Sequence, residues 1–114
     1  MIKQMTPEEL KNLILHGNKE IIKEVLENIH PADILDILHE DEDSSKEILE
    51  HLPNEVIGDI LDEEDDEELI LEWLNLFSKY KQKQILDEVS HDVITDIIGS
   101  LEDEDEKSAF LELL

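Results

Sequence analysis

The sequence predicts an all-α fold, a superhelical array of short antiparallel helices. Leu, Ile, Val and Phe make 39 of the 114 residues and recur at helical spacing, so a core is available in segments too short for a four-helix bundle. The three prolines and three glycines fall at the boundaries of these stripes more often than inside them. A degenerate repeat is also visible: Pro31-Ala32-Asp33-Ile34-Leu35, Pro53-Asn54-Glu55-Val56-Ile57 and Ser90-His91-Asp92-Val93-Ile94 each open a short helix. Two of the three lead into an acidic turn and another amphipathic helix. Units of this kind cannot bury their apolar faces alone and must stack on neighbours.

Thr6-Pro7-Glu8-Glu9 reads as a capping box with Pro at the first helical position, and Leu10, Leu13 and Ile14 point inward until Gly17 stops the helix. Asn18 caps a second helix with the stripe Ile21, Ile22, Val25, Leu26 and Ile29. Pro31 begins a third, with Ile34, Leu35 and Leu38 on one face. Residues 40–43 form an acidic turn, after which Ser44 or Ser45 caps a helix carrying Ile48, Leu49 and Leu52. Pro53 restarts the chain with Val56, Ile57, Ile60 and Leu61.

A second acidic turn, 62–66, precedes Leu69, Ile70, Trp73, Leu74 and Phe77. Tyr80, Ile85, Leu86 and Val89 follow, and the three-to-four spacing of Trp73, Phe77 and Tyr80 reads as core. Ser90 caps Val93, Ile94, Ile97 and Ile98, with Gly99 as the stop. A third acidic turn at 102–106 leads into a last helix, 109–114, whose apolar end is expected to dock on something downstream or to mark a trimmed fragment.

Nine Lys and Arg against 33 Asp and Glu give a formal net charge of -24. Such a field repels nucleic acid and anionic lipid surfaces and leaves divalent cations and basic surfaces as partners. It also opposes folding, a penalty that salt relieves by screening. Without cysteine there is no disulfide, thiolate zinc site or thiol nucleophile. No apolar run approaches the roughly 18 residues of a membrane span, and no signal segment follows Met1.

The run from His30-Pro31-Ala32-Asp33-Ile34-Leu35 through Asp36-Ile37-Leu38, the restart Glu50-His51-Leu52-Pro53, and Val56-Ile57-Gly58-Asp59-Ile60-Leu61 together resemble the intracellular N-terminal domain of the MgtE family of magnesium transporters. The restart comes 22 residues after the first Pro. The resemblance implies a right-handed superhelix with armadillo-like stacking. It implies that residues 1–114 are one domain of a larger homodimeric membrane transporter, on the cytoplasmic side of the membrane and next to a CBS domain pair of the same chain. It further implies that magnesium bridges carboxylates of the two domains and holds the pore closed. On the matching positions Asp59 falls on the helix begun by Pro53, and Asp92 and Asp96 on the helix opened by Ser90. The Lys- and Gln-rich segment 79–84 is longer than the family's pattern.

The residues themselves support sparse cation contacts. Glu55 and Asp59 stand four apart, as do Asp92 and Asp96, so each pair sets two negative charges on one helix face, a cost a cation offsets. Magnesium takes oxygen ligands, keeps several waters and uses one or two carboxylates per surface. The same spacing arises often among 33 acids, and solvated surface is the plain alternative. The turn 62–66 lacks the Gly of a calcium loop, and His16, His30, His39, His51 and His91 are too scattered for zinc. His30 and His51 stand at boundaries, where they serve packing or caps. No phosphate loop or nucleophile-base arrangement is present, so no enzyme is expected. The second functional expectation is an acidic helical interaction scaffold without metal sensing.

Overall fold

A computed structural model describes residues 6–114, so the reading of the segment after Met1 lies outside the described residues. The elements are α1 (Pro7–His16), α2 (Lys19–Asn28), α3 (Pro31–Glu40), a 3-10 turn (Glu42–Ser44), α4 (Ser45–Glu50), α5 (Asn54–Glu63), α6 (Glu67–Leu74), α7 (Lys79–Leu86), α8 (His91–Ser100) and α9 (Glu104–Glu112). Among the described residues there is no strand, and no helix is long and apolar enough to cross a membrane.

Local chemistry accounts for most boundaries. Thr6 Oγ1 accepts from the Glu9 N–H (3.2 Å) and Asn18 Oδ1 from the Ile21 N–H (2.9 Å), each satisfying an amide the helix leaves unpaired. His30 does the same for α3: its Nδ1 accepts from the Ala32 N–H at 3.0 Å, while the Asp33 carboxylate reaches back to the His30 N–H at 3.3 Å. Ser78, Ser90, Asp66 and Asp103 cap α7, α8, α6 and α9. Neither Ser44 nor Ser45 caps α4, contrary to the sequence reading. The Ser44 hydroxyl donates to Asp41 (3.0 Å), and Ser45 is buried within the first turn. Gly99 is likewise no stop, because α8 runs through it to Ser100.

The helices stack in a row, α1 on α3, α3 on α5 and α5 on α7, with α4 against α1, α6 against α8 and α8 against α9. The result is elongated, 47 × 24 × 23 Å. Along α1, α3, α5 and α7, and again from α6 to α8, a helix packs on the next-but-one, as stacking of incomplete units requires. Ile34, Leu38, Ile48, Ile57, Ile60 and Ile97 are fully buried, and Leu35, Leu52, Trp73 and Leu74 are nearly so. All three repeat units, including the one opened by Ser90, continue through an acidic connection into a further helix.

Several expected core positions lie nearer the surface, among them Phe77, which is half-buried. Ile94 is half-buried, since Ile97 takes the inward position of α8. Ile21 remains 42% exposed, as Val25 alone is buried on α2. Tyr80 is 75% exposed. The spacing from Trp73 to Tyr80 presumes one continuous helix, but α6 ends at Leu74 and α7 starts afresh after Ser78, so the phase does not carry over. His39, by contrast, closes a joint between three elements: it stacks on Trp73 with ring centroids 6.3 Å apart, and its Nε2 meets the Glu64 carboxylate.

Candidate functional site

On α5 the buried side is formed by Ile57, Gly58, Ile60 and Leu61, which turns Glu55, Asp59 and Asp62 outward. The register is held tightly, because a Cβ on Gly58 would come within 2.7 Å of Glu88 Cβ and 2.9 Å of its carbonyl oxygen. Gly58 thus lets α5 approach the segment that follows α7.

On α8, Ile97 faces the core and both Asp92 and Asp96 are exposed on the opposite side. Asp92 lies in the first turn, where the helix dipole favours a carboxylate. The two helices are tied together by Asp62, whose Oδ1 accepts a hydrogen bond from the Ser90 N–H at 2.9 Å. The sequence reading placed Asp62 in an acidic turn and missed this role. Nothing local signals it, since its partner lies 28 residues away.

Asp59 sits at the lip of a groove of about 610 Å³ between α2 and α5. Partial burial raises its carboxyl pKa above the ordinary value, and repulsion from Glu55, Asp62 and Glu63 adds to the effect. Asp41 is the opposite case. Its hydrogen bonds with the Lys11 ammonium and the Ser44 hydroxyl hold its carboxyl below the ordinary value.

The segment 79–84 lies within α7, with Ile85 and Leu86 buried behind it and the Lys81 ammonium 5.2 Å from the centre of the Phe77 ring. It therefore extends a packed helix and leaves the phase of α8 to the Ser90 cap.

The donor chemistry of Asp59, Asp92 and Asp96 fits a hard divalent cation, which prefers carboxylate oxygen. They are not gathered into one centre: among the described residues no group of three or more His, Cys, Asp or Glu is placed to hold a metal ion. All three carboxylates are exposed, Asp59 on α5 and Asp92 with Asp96 on α8.

The family model described as the MgtE intracellular N domain matches residues 29–114, from the residue after α2 through α9. The chain belongs to this family. As an MgtE intracellular N domain it is a regulatory module of magnesium transporters and carries no enzymatic activity. The match covers both α5 and α8, with all three candidate carboxylates, and leaves α1 and α2 outside. No curated protein and no solved structure matches the chain.

Proposed function

We propose that this MgtE intracellular N domain senses magnesium through Asp59, Asp92 and Asp96 and transmits its presence to the pore of the transporter of which it is part. In this reading residues 1–114 form one domain on the cytoplasmic side of a homodimeric membrane protein, facing a CBS domain pair of the same chain. The observation that carries the reading is the family match across both acidic helices, together with the exposure of all three carboxylates there.

The mechanism is electrostatic. With a net charge of -24, the domain repels an acidic neighbour when its carboxylates are bare, and the separated arrangement is favoured. Magnesium supplies two positive charges that let carboxylates of both domains share oxygen ligation. Asp92 and Asp96, four apart on one helix face, and Asp59 beside Glu55 then hold the two domains together, and the closed pore is the more populated state. Apolar sides of α5 and α8 are occupied by the core, so these acids are free to serve the bridge without being needed for folding.

Transport by the intact parent, titrated with cytoplasmic magnesium, tests this. Asp59→Ala, Asp92→Ala and Asp96→Ala are expected to move the inhibition midpoint to higher magnesium, in keeping with a coupling of about 1–3 kcal/mol. Unchanged curves for the single and combined variants would assign the sensing carboxylates elsewhere and leave the scaffold reading.

A further inference from the structure

α7 stands apart from the rest of this acidic chain. Alone among the described helices it holds no Asp or Glu, and three of the chain's nine cations, Lys79, Lys81 and Lys83, fall within it. Lys81 lies over the Phe77 ring and is half-buried, whereas Lys79 and Lys83, four apart, are exposed. Tyr80, three before Lys83 and 75% exposed, shares their face. The face thus sets an aromatic ring beside two ammonium groups. No ion pair joins any of these lysines to a carboxylate among the described residues.

α2 presents the same arrangement with the sign reversed. Glu20 and Glu24 stand four apart and exposed, and Ile21, three before Glu24, is 42% exposed. Lys19 and Lys23 line the groove shared with α5, about 100° around the helix from Glu20 and Glu24, which leaves this side acidic. Ile21 and Tyr80 are two of the four large apolar side chains exposed among the described residues. The others, Leu111 and Leu114, follow Lys107 and Phe110 by one turn and have no pair of acids one turn away. An exposed apolar residue with an acidic pair about it therefore occurs on α2 and one with a basic pair on α7.

We propose that the α2 face of one copy of this chain docks on the α7 face of another, Ile21 against Tyr80, and Glu20 and Glu24 against Lys79 and Lys83. Two copies that satisfy both faces at once close into a dimer; otherwise the contact propagates into longer chains. One helix face on another is at the small end of specific interfaces, so the association is weak and depends on concentration. It works against the repulsion of two bodies of charge -24 and therefore needs salt. Raising salt from about 0.01 to 0.15 M shortens the Debye length from about 30 to 8 Å, which screens the distant charges while those in contact still attract. α2 precedes the family match, so the contact belongs to this chain's own first helices, and it does not rest on the magnesium reading.

Sedimentation velocity of the full chain, at concentrations up to about 1 mM, tests this. Wild type is expected to self-associate as concentration rises at about 0.15 M salt and to stay monomeric at about 0.01 M. Glu20→Lys/Glu24→Lys puts like charges on the two faces, as does Lys79→Glu/Lys83→Glu, and each variant alone is expected to remain monomeric. Glu72→Lys/Glu112→Lys and Lys46→Glu/Lys107→Glu make the same changes in net charge away from both faces and are expected to associate as wild type does. An equimolar mixture of the two face variants brings a positive α2 face to a negative α7 face and is expected to restore association, which misfolded variants would not do. A wild type that stays monomeric throughout, face variants that associate as wild type does, controls that lose association equally, or a mixture that stays monomeric would each overturn the contact.

Discussion

Asp62 Oδ1 accepts the Ser90 backbone N–H at 2.9 Å, and by this bond the end of α5 fixes where α8 begins. Both residues are exposed, so water can take the place of the lost acceptor in Asp62→Ala. The expected loss is therefore about 1 kcal/mol, in the middle of the range for a net hydrogen bond. Asp62→Asn keeps an acceptor oxygen and should retain most of that stability. Urea unfolding of the three proteins checks the order, and faster amide exchange at Ser90 in the alanine variant checks the cause.

Two glycines inside helices should respond in opposite directions to Ala. At Gly58 the new methyl meets Glu88 backbone and Cβ, and overpacking of this kind costs roughly 1–3 kcal/mol. The gain in helix propensity, about 1 kcal/mol, offsets only part of this. At Gly99 nothing lies within 4 Å of the added Cβ, so the propensity gain stands alone at about 0.5–1 kcal/mol. Denaturant midpoints for Gly58→Ala and Gly99→Ala should fall on opposite sides of wild type.

Asp59 and Asp41 should give pH dependences of opposite sign. The folded pKa of Asp59 is raised, so the native state holds a proton that the unfolded chain has released, and stability falls as pH rises above 3.8. Asp59→Asn removes that penalty and should raise the Tm at neutral pH, with the gap closing below pH 3.8. For Asp41 the folded pKa is lowered by the Lys11 ammonium; its contribution is present above 3.8 and is lost as pH falls through the folded value. Asp41→Asn should lower the Tm at neutral pH and have no effect once both states are protonated. Thermal scans across this range read both signs directly.

Salt should raise the Tm of the isolated chain by screening its charge of -24. Millimolar magnesium at matched ionic strength should raise it further, because a ligand that binds only the folded state stabilises in proportion to its occupancy. A magnesium effect no larger than that of monovalent salt would reduce the cation's action on this chain to screening.

Much of the architecture can be read locally. Thr6, Asn18 and Ser90 announce helix starts because a side-chain oxygen three residues before an amide suffices to cap it, and the apolar phases of α3 and α5 persist over whole helices. Where the structure departs from the local pattern, the reason differs in each case: Tyr80 lies beyond the end of the helix that sets the phase of Trp73, the glycine penalty at Gly99 is too small to stop α8, and the Ser44 hydroxyl bonds Asp41 in place of capping an amide. At the candidate site the exposed positions of Asp59, Asp92 and Asp96 follow from the apolar register around them. The Asp62 tie and the groove facing α2 are tertiary facts without a local signature.

The row of α1, α3, α5 and α7 also governs how the molecule comes apart. In a row, each member is supported chiefly by its immediate neighbours, so melting can advance from one end like a zipper without crossing the whole length. Loss of α1 would remove direct support from α3, α4 and α2, while α8 and α9 keep contacts of their own. Hydrogen exchange should then fade in stages along the 47 Å axis, slowest in the interior of the row around Ile57 and Ile60. An input at one terminus can therefore soften the nearby helices while the far end stays rigid enough to bear a load.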